Sequence, residues 1–446
     1  MRVHFIAIGG SAMHNLALAL HAKGYKVTGS DDTLFEPSKS RLEKAGLLPT
    51  TIGWNADNIT QDIEAVILGM HAQEDNPELE KAKKLGLKVY SYPEFLYEQS
   101  KDKTRVVIGG SHGKTTITSM ILHVLNAVGR KEDYMVGAQL EGYDVMVRLS
   151  EDADFVILEG DEYLSSTLDR RPKFHLYQPH IALLSGIAWD HINVFPTFEN
   201  YVEQFQIFAN SMINGGILVY NKEDAEVTKV VMKTSNPIRK IPYSTPDFFV
   251  EDGTTFLNTQ LGPMPLKIFG RHNLSNLEGA RLICNQLGIM DEDFYDAIQS
   301  FEGASKRLEL VKKEDRYRVY KDYAHSPSKV SSTTAAVRSQ FPDYKLVACL
   351  ELHTYSSLNI DFLSEYNSAL DAADEKIVYY SADALKIKRR QPIDPAQIRE
   401  AFGDENIRVF TTSDEFKQHL SQISKVGTVM LMMSSGNYGG LDLKML

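Results

Sequence analysis

The stretch of this sequence that decides the fold is Gly109-Gly110-Ser111-His112-Gly113-Lys114-Thr115-Thr116. It follows an apolar run, 106–108, that predicts a buried strand, and it precedes residues 117–128, which have the pattern of a helix. A glycine loop in that position holds a nucleotide phosphate, because its backbone N–H groups and the helix N-terminus both face the anion. We expect Lys114 to reach the β- and γ-phosphates and the Thr115 hydroxyl to bind Mg²⁺.

This loop departs from the general nucleotide pattern G-x-x-x-x-G-K-[ST] at its first position, which is Ile108. The stretch is therefore a variant phosphate loop. A glycine-rich turn that binds nothing is the alternative, and the complete strand–loop–helix order favours the phosphate loop.

Composition narrows the class of protein. A chain of 446 residues exceeds one ordinary domain, and about three domains are expected. The net charge of −11, from 48 basic and 59 acidic residues, argues against a broad nucleic-acid surface. Two distant cysteines, Cys284 and Cys349, predict neither a disulfide framework nor a zinc site and suit the cytoplasm. The N-terminus lacks the pattern of a signal peptide, and no apolar run approaches the ~18 residues of a membrane span.

Apolar strands alternate with helical patterns along the whole chain, which predicts an α/β protein with mainly parallel sheets. We expect three domains in a row, over residues 1–101, 102–309 and 310–446. The first opens with a strand, two glycines and a helix, and Asp31 follows the second strand. That unit is a weak match to a dinucleotide fold, so a nicotinamide dehydrogenase is one alternative.

Acidic and imidazole side chains follow predicted strands of the central segment. Glu159 ends the apolar run 155–158, where an acid beside a phosphate loop can hold Mg²⁺. Asp190-His191 ends the run 181–189, so His191 is either a metal ligand or a structural histidine.

Three later segments also suit a nucleotide. His272 and Asn276 share one face of a predicted helix and can contact an adenine edge, with a capping role for Asn273 as the alternative. Arg307 can meet a phosphate with two hydrogen bonds, or it can belong to a solvated charge cluster. Asp322 and His325 precede Ser326-Pro327 and suit a loop over the nucleotide, although a plain turn also explains them.

Together these segments resemble the Mur ligase family, ATP-dependent enzymes that form amide bonds in peptidoglycan synthesis. The family's loop has the form G-[ST]-x-G-K-[ST]-[ST], which Gly110 to Thr116 fits and which explains Ile108. The other motifs fall in the family's order over essentially the whole chain. The resemblance implies three domains: a Rossmann-like UDP-binding domain, a central ATPase domain and a Rossmann-like C-terminal domain.

The resemblance assigns roles to individual residues. It implies that Lys114, Glu159, His191 and Arg307 are catalytic, and that Thr115, Glu159 and His191 hold Mg²⁺. ATP binding is implied for Gly110, Ser111, His112, Gly113, Lys114, Thr115, Thr116, His272, Asn273, Asn276, Arg307 and Asp322. A UDP-sugar site is implied for Gly9, Gly10, Ser11, Ala12, Met13, Ser30, Asp31 and His71, and an amine or peptide site for His325, His353, Ser356 and Asn437.

The N-terminal segment is similar to the branch of the family that uses UDP-N-acetylmuramate. One type within this branch adds L-alanine, and another adds a preformed L-alanyl-γ-D-glutamyl-meso-diaminopimelate peptide during peptidoglycan recycling. The segments 161–174 and 434–440 are similar to the peptide-adding type, so we expect a peptide substrate. The segment His353-Thr354-Tyr355-Ser356 is similar to the L-alanine type, although Ser357 stands where that type has arginine. Gly186 stands where the family usually has asparagine.

The implied mechanism is activation of the muramoyl carboxylate by ATP to an acyl phosphate, followed by attack of the amine. Arg307 and Asp322 would reach the nucleotide only on domain closure, which would exclude water from the acyl phosphate. A P-loop ATPase that drives a partner protein is the alternative from another class, and a folate polyglutamate ligase shares only the loop. The sequence leaves the oligomeric state open.

Overall fold

The computed structural model describes residues 1–70, 72–140, 142–192, 194–304, 307–388 and 390–446. The chain divides into two compact units. Unit 1 comprises Met1–Ile187, Val202–Tyr243 and Gly279–Met290, and unit 2 comprises Ala188–Tyr201, Ser244–Glu278 and Asp291–Leu446.

The N-terminal part of unit 1 is a four-stranded sheet with the order β2-β1-β3-β4, in which all pairings are parallel. Its strands are short, with the central pair β1 and β3 more buried than the outer β2 and β4, and a helix follows each of them, as parallel pairing requires. The elements are β1 (Arg2–Ile6), α1 (Ser11–Ala22), β2 (Lys26–Ser30), α2 (Ser38–Lys44), β3 (Ala65–Leu68), α3 (Pro77–Lys84), β4 (Val89–Ser91) and α4 (Tyr92–Gln99).

The central part is a seven-stranded sheet with the order β11-β10-β9-β5-β8-β6-β7. Only the pairing of β6 with β7 is antiparallel. The elements are β5 (Thr104–Gly109), α5 (Lys114–Ala127), β6 (Asp133–Met135), β7 (Val147–Arg148), β8 (Phe155–Gly160), β9 (Ile181–Leu184), α6 (Phe198–Asn210), β10 (Ile217–Asn221), α7 (Ala225–Lys233) and β11 (Arg239–Tyr243). Strands β8 and β9 are buried throughout and β5 is buried except at Thr104, which agrees with the apolar runs 106–108, 155–158 and 181–184.

Unit 2 contains a small antiparallel sheet of β12 (Phe248–Glu251), β13 (Thr254–Thr259) and β14 (Gly262–Leu266). Two helices follow it, α8 (Arg271–Gln286) and α9 (Asp291–Ile298), the first of which continues into unit 1. The small sheet agrees with the short runs, prolines and glycines of residues 237–269.

The C-terminal part of unit 2 is a six-stranded sheet with the order β15-β16-β20-β17-β18-β19, parallel except at the β15–β16 pair. The elements are β15 (Glu309–Glu314), β16 (Tyr317–Asp322), α10 (Pro327–Gln340), β17 (Lys345–Glu351), β18 (Glu375–Tyr379), α11 (Ala382–Ile387), α12 (Pro395–Phe402), β19 (Arg408–Phe410), α13 (Ser413–Gln422) and β20 (Thr428–Met433). The predicted succession of three α/β sheets is confirmed, while the expected domain boundaries remain a prediction. Within the described ranges, no helix is both long and apolar enough to cross a membrane.

Candidate active site

The phosphate loop joins β5 to α5, and the helix begins at Lys114, earlier than the sequence predicted. Lys114 and Thr115 therefore lie in the first helical turn. Gly110 has φ 134° and Gly113 has φ 82°, both in the left-handed region that favours glycine. A Cβ at position 110 would lie 2.1 Å from Ser185 Oγ. The two glycines thus give the tight backbone that lets N–H groups approach an anion.

Lys114 is held by the backbone and by an acidic cluster. Its Nζ donates to Gly110 O at 2.5 Å and to Glu162 Oε2 at 2.6 Å. Burial disfavours the charged lysine, but Glu162 and Asp161 outweigh this and raise the pKa of Lys114. Lys173 donates to Asp161 Oδ2 at 2.5 Å. Although burial opposes it, the pKa of Asp161 lies below its usual range because of Lys173 and Lys114. Lys114 is therefore a fixed cation at the phosphate loop.

Two oxygen-bearing side chains, Thr115 and Glu159, meet beside this lysine. Thr115 Oγ1 donates to Glu159 Oε1 at 2.9 Å, and Gly137 N donates to Glu159 Oε2 at 3.0 Å. Burial raises the pKa of Glu159, while Gly137 and Lys114 lower it. A hydroxyl and a carboxylate fit Mg²⁺, which usually takes few protein ligands and completes its shell with phosphate and water. No group of three or more His, Cys, Asp or Glu suited to a metal occurs in the part of the chain that the structure describes.

The departure at Gly186 has a structural explanation. A Cβ at position 186 would lie 2.2 Å from the ring of His112, so this ring takes the space of a side chain at that position. Ser111 N donates to Gly186 O at 2.9 Å, which ties the phosphate loop to the end of β9. The position of the His112 ring therefore requires a residue without a side chain at position 186. Thr116 is buried within the first turns of α5.

The predicted UDP-sugar residues divide into buried and exposed groups. Asp31 is 3% exposed and accepts from Gly9 N at 2.6 Å, and burial raises its pKa. Ser30 donates its hydroxyl to the buried Glu78. These two side chains form hydrogen bonds within the protein, whereas Ser11 and Ala12 at the start of α1 are exposed. The remaining predicted residues are the half-buried Gly9 and Gly10, the buried Met13, and His71, which lies outside the described residues.

Unit 2 brings together two of the predicted nucleotide residues, Arg307 and Asp322. Asp322, at the end of β16, accepts from Leu308 N at 2.7 Å and from Ala324 N at 2.6 Å. Burial raises the pKa of Asp322 against the opposing charge of Arg307. The Arg307 guanidinium carbon lies 5.1 Å from the centroid of the Tyr323 ring. This packing fixes a cation beside a buried carboxylate.

His272 and its neighbours lie on the first turns of α8. Burial, together with Arg307, lowers the pKa of His272 to about 4, so the ring is neutral at pH 7 and can both donate and accept. Asn273 Nδ2 donates to Phe269 O at 2.9 Å. Because α8 begins at Arg271, the capping alternative for Asn273 is wrong. Asn276 is buried on the same helix.

His191 lies in an unusual backbone conformation, with φ 54°. Its N–H donates to Asp190 Oδ1 at 2.8 Å, and Asp190 Oδ2 accepts from Lys329 at 3.2 Å. Burial opposes ionisation of Asp190, but Lys329 and His191 hold its pKa below the usual range. His325 Nδ1 donates to Tyr323 O at 2.8 Å, and burial lowers the pKa of His325 to about 4. His191 and His325 thus belong to one cluster around a carboxylate.

Three of the four predicted amine-binding residues, His353, Ser356 and Asn437, lie on two loops that Glu351 joins. Glu351 ends β17 and is 4% exposed. It accepts from the Ser434 hydroxyl and from Tyr438 N, the latter at 2.9 Å. These bonds fix the loop after β20, on which Asn437 is exposed. His353 Nδ1 lies 3.9 Å from Glu351 Oε1, so the two loops meet at the carboxyl edge of the sheet.

The half-buried Ser356 lies beside a closed hydrogen-bond ring in the loop after β17. Thr354 N donates to Ser357 Oγ at 2.9 Å, and Ser357 N donates to Thr354 Oγ1 at 3.0 Å. Ser357 itself is 0% exposed. The residue that departs from the L-alanine type is therefore buried and bonded within its own loop.

Sequence reasoning missed the residues that hold these groups in place. Lys329 is separated by 139 positions from Asp190, and Glu162 by 48 positions from Lys114. No short-range pattern joins such pairs. Glu162 does lie three residues after the predicted Mg²⁺ ligand Glu159 and within the segment 161–174, which gave a signal for the region but not for its partner.

Three family models match the chain, in the order of its three main sheets. Residues 2–104 match the model "Mur ligase family, catalytic domain", residues 108–284 match "Mur ligase middle domain", and residues 306–436 match "Mur ligase, glutamate ligase domain". A UDP-N-acetylmuramate–L-alanine ligase of a Sulfurihydrogenibium species is 31% identical over 445 residues, which cover 98% of this chain and 95% of that relative.

Two solved structures share the fold. The murein peptide ligase of Psychrobacter arcticus has a TM-score of 0.65 at 23% identity, with coverage of 99% of this chain and 97% of that one. The UDP-N-acetylmuramate-alanine ligase of Thermotoga maritima has a TM-score of 0.70 at 21% identity, with coverage of 98% and 96%. Both resemblances extend over the full length of the chain.

Proposed function

This chain belongs to the Mur ligase family and is an ATP-dependent ligase, and from that premise we propose its substrates. We propose that it joins the carboxyl group of UDP-N-acetylmuramate to the amine of a preformed L-alanyl-γ-D-glutamyl-meso-diaminopimelate type peptide. The reaction would reuse peptide released from peptidoglycan and would take place in the cytoplasm.

The chemistry needs an activated carboxylate, because an amine does not displace a carboxylate oxygen. In the proposed first step a muramoyl carboxylate oxygen attacks the γ-phosphorus of ATP and ADP departs, which leaves an acyl phosphate. The peptide amine then attacks the acyl carbon, phosphate departs and the nitrogen loses a proton. Positioned cations lower both barriers because negative charge builds up on phosphoryl and acyl oxygens.

The phosphate loop supports the first step. Lys114 is protonated and fixed beside the left-handed Gly110, where it can neutralise charge on the γ-phosphate. Thr115 and Glu159 would hold Mg²⁺, which would neutralise further negative charge on the triphosphate. We propose that His272, Asn273 and Asn276 contact adenine, and that Arg307 and Asp322 contact the nucleotide.

One observation carries the choice of a peptide. The position where the L-alanine type has arginine is Ser357, which is fully buried and bonded to Thr354. That position therefore supplies no cation for the carboxylate of a free amino acid. The segments 161–174 and 434–440, similar to the peptide-adding type, support the same choice.

L-alanine is the second candidate amine, because the 31% identical relative is named a UDP-N-acetylmuramate–L-alanine ligase. The segment His353-Thr354-Tyr355 also resembles that type. The two candidates differ only in the amine, so a single assay separates them.

The test is product formation with ATP and UDP-N-acetylmuramate, with each amine offered separately. We expect phosphate release and a UDP-muramoyl-peptide product with the tripeptide, and at most slow turnover with L-alanine. Efficient turnover of L-alanine alone would overturn the choice of amine. ATP turnover that needs no UDP-sugar would instead support the alternative of an ATPase that drives a partner.

A further inference from the structure

Two cations share one aromatic ring at the carboxyl edge of the C-terminal sheet. Lys388 Nζ lies 4.5 Å from the centroid of the Tyr355 ring, and the Arg390 guanidinium carbon lies 5.8 Å from it. Tyr355 is 52% exposed, and Lys388 and Arg390 are half-buried, so the three side chains lie at the surface rather than in the core. We call Tyr355, Lys388 and Arg390 the cation pair site.

These two charges are not neutralised by protein. In the described part of the chain, neither Lys388 nor Arg390 has a carboxylate within ion-pair distance, and Arg390 Nε is buried without a hydrogen-bond partner. Lys386, on the same segment, does pair with Asp383 at 3.6 Å. Like charges held close together repel each other, and a bound anion relieves that repulsion.

The fold places this site beside the predicted amine-binding loops. Tyr355 lies on the loop after β17, and Lys388 and Arg390 follow α11, the helix after β18. Strands β17 and β18 are parallel neighbours, so their carboxyl ends meet at the same edge of the sheet. The loop of Tyr355 also carries His353, which lies 3.9 Å from Glu351.

The chemistry of the site matches carboxylates that are distant from the reacting amine. Free L-alanine carries one carboxylate, next to its amine, whereas the tripeptide carries three, each at least one residue farther along. An arginine fork binds a carboxylate with two hydrogen bonds, and a neighbouring lysine adds charge. We infer that Tyr355, Lys388 and Arg390 bind the distal carboxylates of the peptide and so select an acidic peptide over a single amino acid. This inference rests on the proposed peptide substrate.

A purely structural role of Lys388 and Arg390 would lead to a different result. Lys388 follows the last residue of α11, where a cation is stabilised by the helix dipole, and the ring contacts stabilise both cations. If that were their whole purpose, their removal would lower the melting temperature and leave the KM for the peptide unchanged. The two roles therefore separate by kinetics.

The experiment compares Lys388→Gln, Arg390→Gln and the double variant with Lys386→Gln as the matched control. ATP and UDP-N-acetylmuramate are kept saturating, and the tripeptide is offered with free carboxylates or with its carboxylates converted to amides. We expect the KM for the acidic peptide to rise about 10-fold in each single variant, as for the loss of one charged hydrogen bond. In the double variant the KM for the acidic peptide should rise further, with kcat nearly constant. The amidated peptide and Lys386→Gln should show no such change.

Two results would overturn the inference while leaving the proposed function intact. One is a double variant that turns over the acidic peptide with an unchanged KM. The other is an equal rise in KM for the amidated peptide, since charge would then not be what is recognised. A wild-type protein that rejects the tripeptide would overturn the proposed function as well. As a further check, Tyr355→Phe should retain the low KM because the ring remains, and Tyr355→Leu should not.

Discussion

Replacing Lys114 with alanine is the perturbation that tests the proposed chemistry most directly. Lys114 Nζ bonds to Gly110 O at 2.5 Å and to Glu162 Oε2 at 2.6 Å. Its removal takes away the cation proposed for the γ-phosphate and leaves Glu162 and Asp161 near an incoming triphosphate. We therefore expect ligation to fail while affinity for UDP-N-acetylmuramate stays nearly intact.

The magnitude follows from two separate effects of the same side chain. Losing one positioned charge in a phosphoryl-transfer site commonly lowers the rate by about 10²–10³. Removing one partner of a buried ion pair also costs stability, about 3–5 kcal/mol in the fully buried case. The Lys114 side chain is 13% exposed and that of Glu162 is 2% exposed. Because the lysine is not fully buried, the loss of stability should lie near the lower end of that range.

The assay must separate catalysis from folding. The double variant Lys114→Ala with Glu162→Gln removes the buried charge left behind, so its melting temperature should recover while ligation does not. Lys173→Ala is the control within the same cluster, because Lys173 bonds to Asp161 at 2.5 Å but lies outside the phosphate loop. Ligation is followed by product formation and UDP-sugar affinity by calorimetry. A Lys114→Ala protein that ligates within about 10-fold of wild type would refute the reasoning.

Three further predictions concern the central domain. Gly110→Ala should abolish binding of an ATP analogue, measured by calorimetry, because a Cβ would lie 2.1 Å from Ser185 Oγ; unchanged affinity would contradict this. Glu159→Gln should raise the Mg²⁺ concentration needed for half-maximal ligation, since it weakens the carboxylate beside Thr115, and an unaltered Mg²⁺ titration would exclude this role. Burial raises the pKa of Glu132 to about 7, so its carboxyl favours folding below its ordinary pKa of 4.5, and this contribution is lost as the pH rises through 7. Glu132→Gln should therefore raise the melting temperature at pH 8 but not at pH 4. The gain in the free energy of unfolding at pH 8 should be at most about 2 kcal/mol after allowance for solvent screening. Equal effects at both pH values would argue against this role of Glu132.

The phosphate loop shows how far sequence reasoning reaches. The order of strand, glycines, lysine and helix is local, so it predicted that Lys114 follows β5 and the glycines of the loop. The alternation of apolar strands and helical patterns predicted the three α/β sheets, and the family resemblance implied the same three domains. The N-terminal glycines were less decisive, because they also fitted a nicotinamide site. The role of Gly186 could not be foreseen, because it depends on the His112 ring packing against it.

The sequence by itself determined the elements, their order and the phosphate loop, because these depend on residues within a few positions of one another. Only the tertiary structure decided which charges meet: Lys114 with Glu162, Asp190 with Lys329, and the two cations on the Tyr355 ring. Lys114 follows β5 and Glu162 follows its parallel neighbour β8, and the segments of Tyr355 and Lys388 follow the parallel neighbours β17 and β18, so in these two cases the carboxyl ends of adjacent strands bring distant residues to one edge of a sheet. The physical reason is that an ion pair depends on distance in three dimensions, which no local pattern encodes.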